Sequence, residues 1–101
     1  MSASDDRRSY LVECYWPGVS IEKLVDALRR VREAQARLSG RGGDVAFLGS
    51  ILGPVDETVF CLFDGREADV RAVNEQAGLL FERVLESLRI DGEQPEEGGR
   101  R

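Results

Sequence analysis

Two runs of this chain are apolar at successive positions rather than at alternate ones. The first is Tyr10-Leu11-Val12-Glu13-Cys14-Tyr15-Trp16 and the second Thr58-Val59-Phe60-Cys61-Leu62-Phe63. A strand with one solvated face alternates apolar and polar residues, because successive side chains point to opposite sides. These runs barely alternate, so both faces of their sheet are expected to be covered. Only two segments read as helices. If both lie on one face, the other needs a partner, and a second copy of the chain is the simplest one.

The remaining elements follow from periodicity and breakers. A first strand is expected over residues 9–15, ended by Pro17-Gly18. Ser20 is a candidate N-cap and Glu22 suits the positive end of the helix dipole. The helix that follows reaches residue 39, with Ile21, Leu24, Val25, Leu28, Val31 and Leu38 as its apolar stripe. Gly40, Gly42 and Gly43 end it. A second strand is expected over 44–52. Val45, Phe47 and Ile51 face one way and Ala46 and Leu48 the other, with a bulge or close backbone approach at Gly49-Ser50. Gly53-Pro54-Val55-Asp56 turns the chain into the third strand, making a hairpin.

Asp64-Gly65 closes that strand and offers a cap for a second helix over 66–76, whose stripe is Val70, Val73 and Ala77. Gly78 stops it. The segment 79–90 fits either a helix (Leu80, Phe81, Val84, Leu85, Leu88) or a strand (Val84, Glu86, Leu88, Ile90), and periodicity does not choose. A final strand completes a βαββαβ, ferredoxin-like α+β fold with a four-stranded antiparallel sheet.

Composition narrows the classes. A chain of 101 residues holds one domain. Residues 1–8 and 91–101 are polar and charged and are expected to be disordered tails, the second one acidic, around a domain at 9–90. A net charge of −5 argues against nucleic acid as a partner, since phosphate binding needs a basic stripe. Arg29, Arg30, Arg32 and Arg37 gather on the first helix, where a solvated outer face is the preferred reading. Every basic residue except Lys23 is arginine, as a GC-rich, bacterial genome would produce. No signal peptide or long apolar run is present, so the expectation is a cytoplasmic protein without membrane association. Histidine is absent, which excludes Ser-His and Cys-His catalysis within one chain and removes a favoured zinc and nickel ligand. Two cysteines in such a setting are expected as free thiols.

Leu48-Gly49-Ser50, Asp56-Glu57-Thr58-Val59-Phe60-Cys61-Leu62-Phe63, Val70-Arg71, Asn74-Glu75-Gln76-Ala77-Gly78-Leu79 and Phe81-Glu82-Arg83-Val84 together resemble a family of small bacterial proteins. Val12-Glu13 and Pro17-Gly18 fit its opening. Its best understood branch consists of nickel-binding, ferredoxin-like proteins. The resemblance spans residues 10–90 and implies a fold that dimerises through its sheet, like a dimeric α/β barrel, with the last segment a strand. The branch's histidines align near Gly49 and Val73, neither of which can ligate a metal. The fold carries over; the nickel does not, and no cofactor is expected.

Candidate chemistry is sparse. Glu13 sits mid-strand among apolar residues, where a carboxylate needs an arginine or a ligand to answer it, and Arg83 is one candidate. A structural pair across a dimer is the alternative. Cys14 and Cys61 fall on adjacent central strands and read better as core thiols than as a redox pair. Tyr10, Tyr15, Trp16, Phe47, Phe60 and Phe63 line either a core or a pocket. The candidate ligand-binding set is Glu13, Tyr15, Phe60, Asn74 and Arg83, with no catalytic or metal residue assigned.

Three functions compete. The first is a non-enzymatic small homodimer that binds a ligand or metal, or serves a stress response. The second is a cofactor-free, monooxygenase- or cyclase-like enzyme with Glu13 as acid or base. The third is a protein-interaction module using its free sheet face or edge.

Overall fold

A computed structural model of the chain describes residues 7–88. The two expected tails therefore lie almost wholly outside the described residues, as does Ile90 at the domain boundary.

The elements run β1 (Arg8–Tyr15), α1 (Ile21–Ser39), β2 (Val45–Gly53), β3 (Thr58–Gly65), α2 (Glu67–Gln76) and β4 (Arg83–Ser87). The strands form one antiparallel sheet in the order β2-β3-β1-β4. This is the ferredoxin-like α+β fold. The last segment is a strand, as the completed topology requires. It is a short one because Phe81 and Glu82 remain outside it.

Both helices lie on one side of the sheet. Tyr10, Val12 and Cys14 of β1 and Val59, Cys61 and Phe63 of β3 point to that side and are buried with both helices. Helix α1 begins where expected: the Ser20 hydroxyl accepts a bond from the Lys23 N–H at 3.1 Å. Its buried face is Leu24, Ala27, Leu28, Val31 and Ala34. Ile21 and Val25, expected on the apolar stripe, are exposed. The buried face runs through the alanines instead. Helix α2 buries Val70 and Val73, followed by Ala77, as its spacing predicts. Each fully buried Val or Leu contributes on the order of 1.5–3 kcal/mol.

Two local features depart from the reading of the sequence. Phe47 pairs with Phe63, but the next pair is Gly49 with Leu62, so Leu48 is an extra residue in β2. This is the bulge that Gly49 suggested, and it reverses the alternation beyond it. Phe47 stays on the helix side, whereas Ile51 pairs with Phe60 and falls on the opposite face. The expectation that the two share a face is thereby corrected. The second departure is the start of α2. Its N-cap is Arg66, without a side-chain cap bond. Asp64, expected as the cap, accepts a hydrogen bond from the Ser9 hydroxyl at 2.6 Å instead. Asp69 in the first turn accepts the Asp44 N–H at 2.8 Å and so ties α2 to the start of β2.

A candidate ligand site on the open face of the sheet

The side of the sheet away from the helices carries Ser9, Leu11, Glu13 and Tyr15 from β1, with the polar Asp64 and Ser87 on either side of Ser9. The register sets Leu62 and Leu85 on either side of Leu11, and Phe60 and Arg83 on either side of Glu13. Ile51 extends the Phe60 row across β2. Neither helix reaches this face. Ile51 is 69% exposed and Tyr15 54%. An apolar sheet face open to water in this way is the situation that the unbroken apolar runs imply.

Glu13 and Arg83 meet at the last pair of the β1–β4 ladder, towards one edge of this face. Both Nε (2.8 Å) and Nη2 (2.6 Å) of Arg83 approach one oxygen of Glu13, Oε1. The Glu13 carboxylate is four-fifths covered, while the Arg83 side chain is 62% exposed. Oε2 has no hydrogen-bond partner among the described residues, so it remains available to an added donor.

Of the five candidate residues, Glu13, Tyr15, Phe60 and Arg83 thus share one face. Asn74 does not join them. It is wholly buried on α2, on the other side of the sheet, where its Nδ2 donates to the Val70 carbonyl at 2.8 Å and its Oδ1 has no protein partner. Helical spacing from Val70 places it there. Its polar amide on a short helix gives no sign of that burial in the sequence.

The thiols of Cys14 and Cys61 lie on the helix side, buried and free. Burial raises the Cys14 pKa to about 11, with the Glu82 and Glu13 charges adding to it. Burial likewise raises Cys61 to about 12, with Cys14 as the lesser cause. Both are neutral thiols at physiological pH, which suits core residues and not nucleophiles. The aromatic residues divide three ways. Phe47 and Phe63 pack together at 5.3 Å between ring centroids, Tyr10 is buried with the core, and Tyr15 and Phe60 lie on the open face. Trp16, half-buried, lines a cavity at the end of β1 together with Pro17, Leu79 and Leu80, which the sequence reading did not identify.

A nickel ion does not fit these residues. Gly49 occupies the bulge and Val73 the core, and neither side chain offers a donor. Among the described residues, no three Cys, Asp or Glu side chains stand close enough to hold a metal ion. Nor is any described helix long and apolar enough to cross a membrane.

No family model and no curated protein matches the chain. Among solved structures, the fold is similar to the crystal structure of SCO4226 from Streptomyces coelicolor A3(2). The two are 20% identical, with a TM-score of 0.70, covering 82% of this chain and 99% of that one. At that identity the likeness is one of fold: this chain shares the architecture of the Streptomyces protein.

Proposed function

We propose that the protein is a non-enzymatic homodimer that binds a small ligand, with two sheets packed face to face and the Glu13–Arg83 pair at the seam. The open face carries the proposal: Leu11, Ile51, Phe60, Leu62 and Leu85 form an apolar surface that neither helix nor any other described element covers. A two-fold axis through such a face buries the same patch twice, which is how most small dimers close. Glu13 Oε2 and the exposed guanidinium of Arg83 give the seam one acceptor and several donors for a polar ligand. Tyr15 and Phe60 flank that position.

The enzyme reading draws less support. Glu13 is already engaged by two N–H groups of Arg83, an arrangement suited to holding a carboxylate in place rather than to exchanging its proton. The proposal is tested by native mass spectrometry of the untagged full chain, before and after adding nickel. The expected result is a dimer without a metal adduct. A monomer at every concentration overturns the dimer, and one metal per subunit overturns the loss of the metal site.

A further inference from the structure

A second surface lies beyond the open face. At the end of β1, a cavity of about 260 Å³ is lined by Cys14, Tyr15, Trp16, Pro17, Arg30, Gly78, Leu79 and Leu80. Only Tyr15 belongs also to the open face. The walls are α1, through Arg30, and the segment that leaves α2 at Gly78. We propose that this cavity binds a small aromatic carboxylate, with the ring against Trp16 and Leu79 and the carboxylate on Arg30.

Size sets the first limit. An enclosed apolar cavity of roughly 150 Å³ accepts benzene, and drug-sized ligands take about 300 Å³ or more. A space of about 260 Å³ therefore suits one ring with a short polar substituent. The lining sets the second limit. It is mainly apolar, with an indole on one side, and π faces stack well against one another. Charge sets the third. Arg30 is the one charged residue in the wall. Its Nε donates to the Ala77 carbonyl at 2.9 Å and its Nη1 to Asp26 at 2.5 Å. Both contacts hold the guanidinium plane in place, and Nη2 has no hydrogen-bond partner among the described residues. A guanidinium held in place beside an apolar pocket, with an N–H left over, has the chemistry to take a second carboxylate. Asp26 offsets part of its charge, so the binding expected is of moderate affinity. The Cys14 thiol is neutral at physiological pH, but the Glu82 and Glu13 carboxylates act on it and oppose an anion, which lowers the expected affinity further.

The chain has a single tryptophan, and it lines this cavity, so its fluorescence reports occupancy directly. Benzoate, with benzyl alcohol as a neutral control of similar size, is titrated into the full chain. Benzoate is expected to change Trp16 emission saturably and to bind at least about tenfold more tightly than benzyl alcohol, in keeping with a charge-assisted hydrogen bond. Arg30→Met is expected to remove that preference, so that benzoate binds no more tightly than benzyl alcohol. Because Arg30 also holds the Ala77 carbonyl, a second variant guards against misfolding. Leu80→Glu alters a residue that is 86% exposed at the rim, and is expected to keep the fold and weaken benzoate. No saturable response up to the solubility limit overturns the proposal. So does equal affinity for the two probes, or full benzoate binding in a folded Leu80→Glu protein. Native mass spectrometry of the same samples reports dimerisation separately. A dimer that ignores benzoate therefore counts against this cavity alone.

Discussion

Arg83 places two nitrogens on a single oxygen of Glu13, across the register pair that ends the β1–β4 ladder on the open face of the sheet. What this pair contributes depends on what lies over it. An ion pair facing water contributes about 0.2–1 kcal/mol. Breaking one inside an interface costs about 3–5 kcal/mol, because the surviving charge stays buried alone. In the proposed dimer, Arg83→Ala is expected to show the larger loss, and the Glu13→Gln, Arg83→Gln double variant to recover much of it. Urea denaturation at two protein concentrations reads both. A loss below about 1 kcal/mol, independent of concentration, would place the pair in solvent.

Leu62 stands opposite Leu11 on one side and Gly49 on the other, in the middle of the open face. Leu62→Asp sets a carboxylate where a partner sheet would lie. We expect a folded monomer, with unchanged far-ultraviolet circular dichroism and association weakened by several kcal/mol. Sedimentation equilibrium measures it. A variant that remains dimeric would remove this face from the interface.

The thiols give a pH dependence with a definite sign. Cys14 and Cys61 titrate near 11 and 12 in the folded chain, against a reference of 9.0 for a free thiol. Above the unfolded value, the unfolded chain releases thiol protons that the native state retains. Stability from these groups is therefore complete below pH 9 and is lost as pH rises through the folded values. Comparing wild type with Cys61→Ala by chemical denaturation from neutral to alkaline pH isolates that contribution. The wild-type curve should fall more steeply. In the folded protein at neutral pH, a thiol reagent should label neither residue until the chain unfolds.

Gly65 closes β3 at a φ of +149° and is buried against the backbone of Asp44 and Val45. A Cβ there would overlap the Asp44 carbonyl oxygen and lie 2.8 Å from the Val45 Cα. Backbone atoms cannot rotate away as a side chain can. Gly65→Ala is expected to cost about 3 kcal/mol or more, from overpacking together with an unfavourable dihedral. Gly18→Ala offers a control, since φ there is also positive (+78°) but no atom lies within 4 Å of the added methyl. It should cost about 1–3 kcal/mol. Equal losses would mean that space at Gly65 is not the constraint.

The sequence was most readable where composition and period acted together. The runs around Val12 and Cys61 announced strands apolar on both faces, and Val70, Val73 and Ala77 marked the inner face of α2. The orientation of α1 was less readable. Ile21 and Val25 extend an apolar stripe, yet they are exposed and the buried face runs through the small side chains of Ala27 and Ala34. Ile51 was misplaced because a bulge adds one residue, and period-2 reasoning then inverts everything beyond it. For the site, Glu13 stands out as a charge in an apolar run with Arg83 as one candidate to answer it, and the β1–β4 register brings the two together. The Trp16–Arg30 cavity was not readable. It gathers residues from β1, α1 and the α2–β4 connection, and no local pattern joins them.

The Leu48 bulge also bears on solubility. β2 is an outer strand of the sheet, and a flat outer strand offers its unpaired backbone groups to any extended chain that passes. Here the ladder is broken midway by Leu48 and Gly49. Nearby, the Phe47 N–H is taken by the Gln35 side chain at 2.9 Å and the Asp44 N–H by Asp69. Strand-by-strand growth along this border would meet donors already occupied and a register that changes partway. Fibre formation is thereby discouraged at β2, in a chain whose central strands are rich in valine, phenylalanine and leucine.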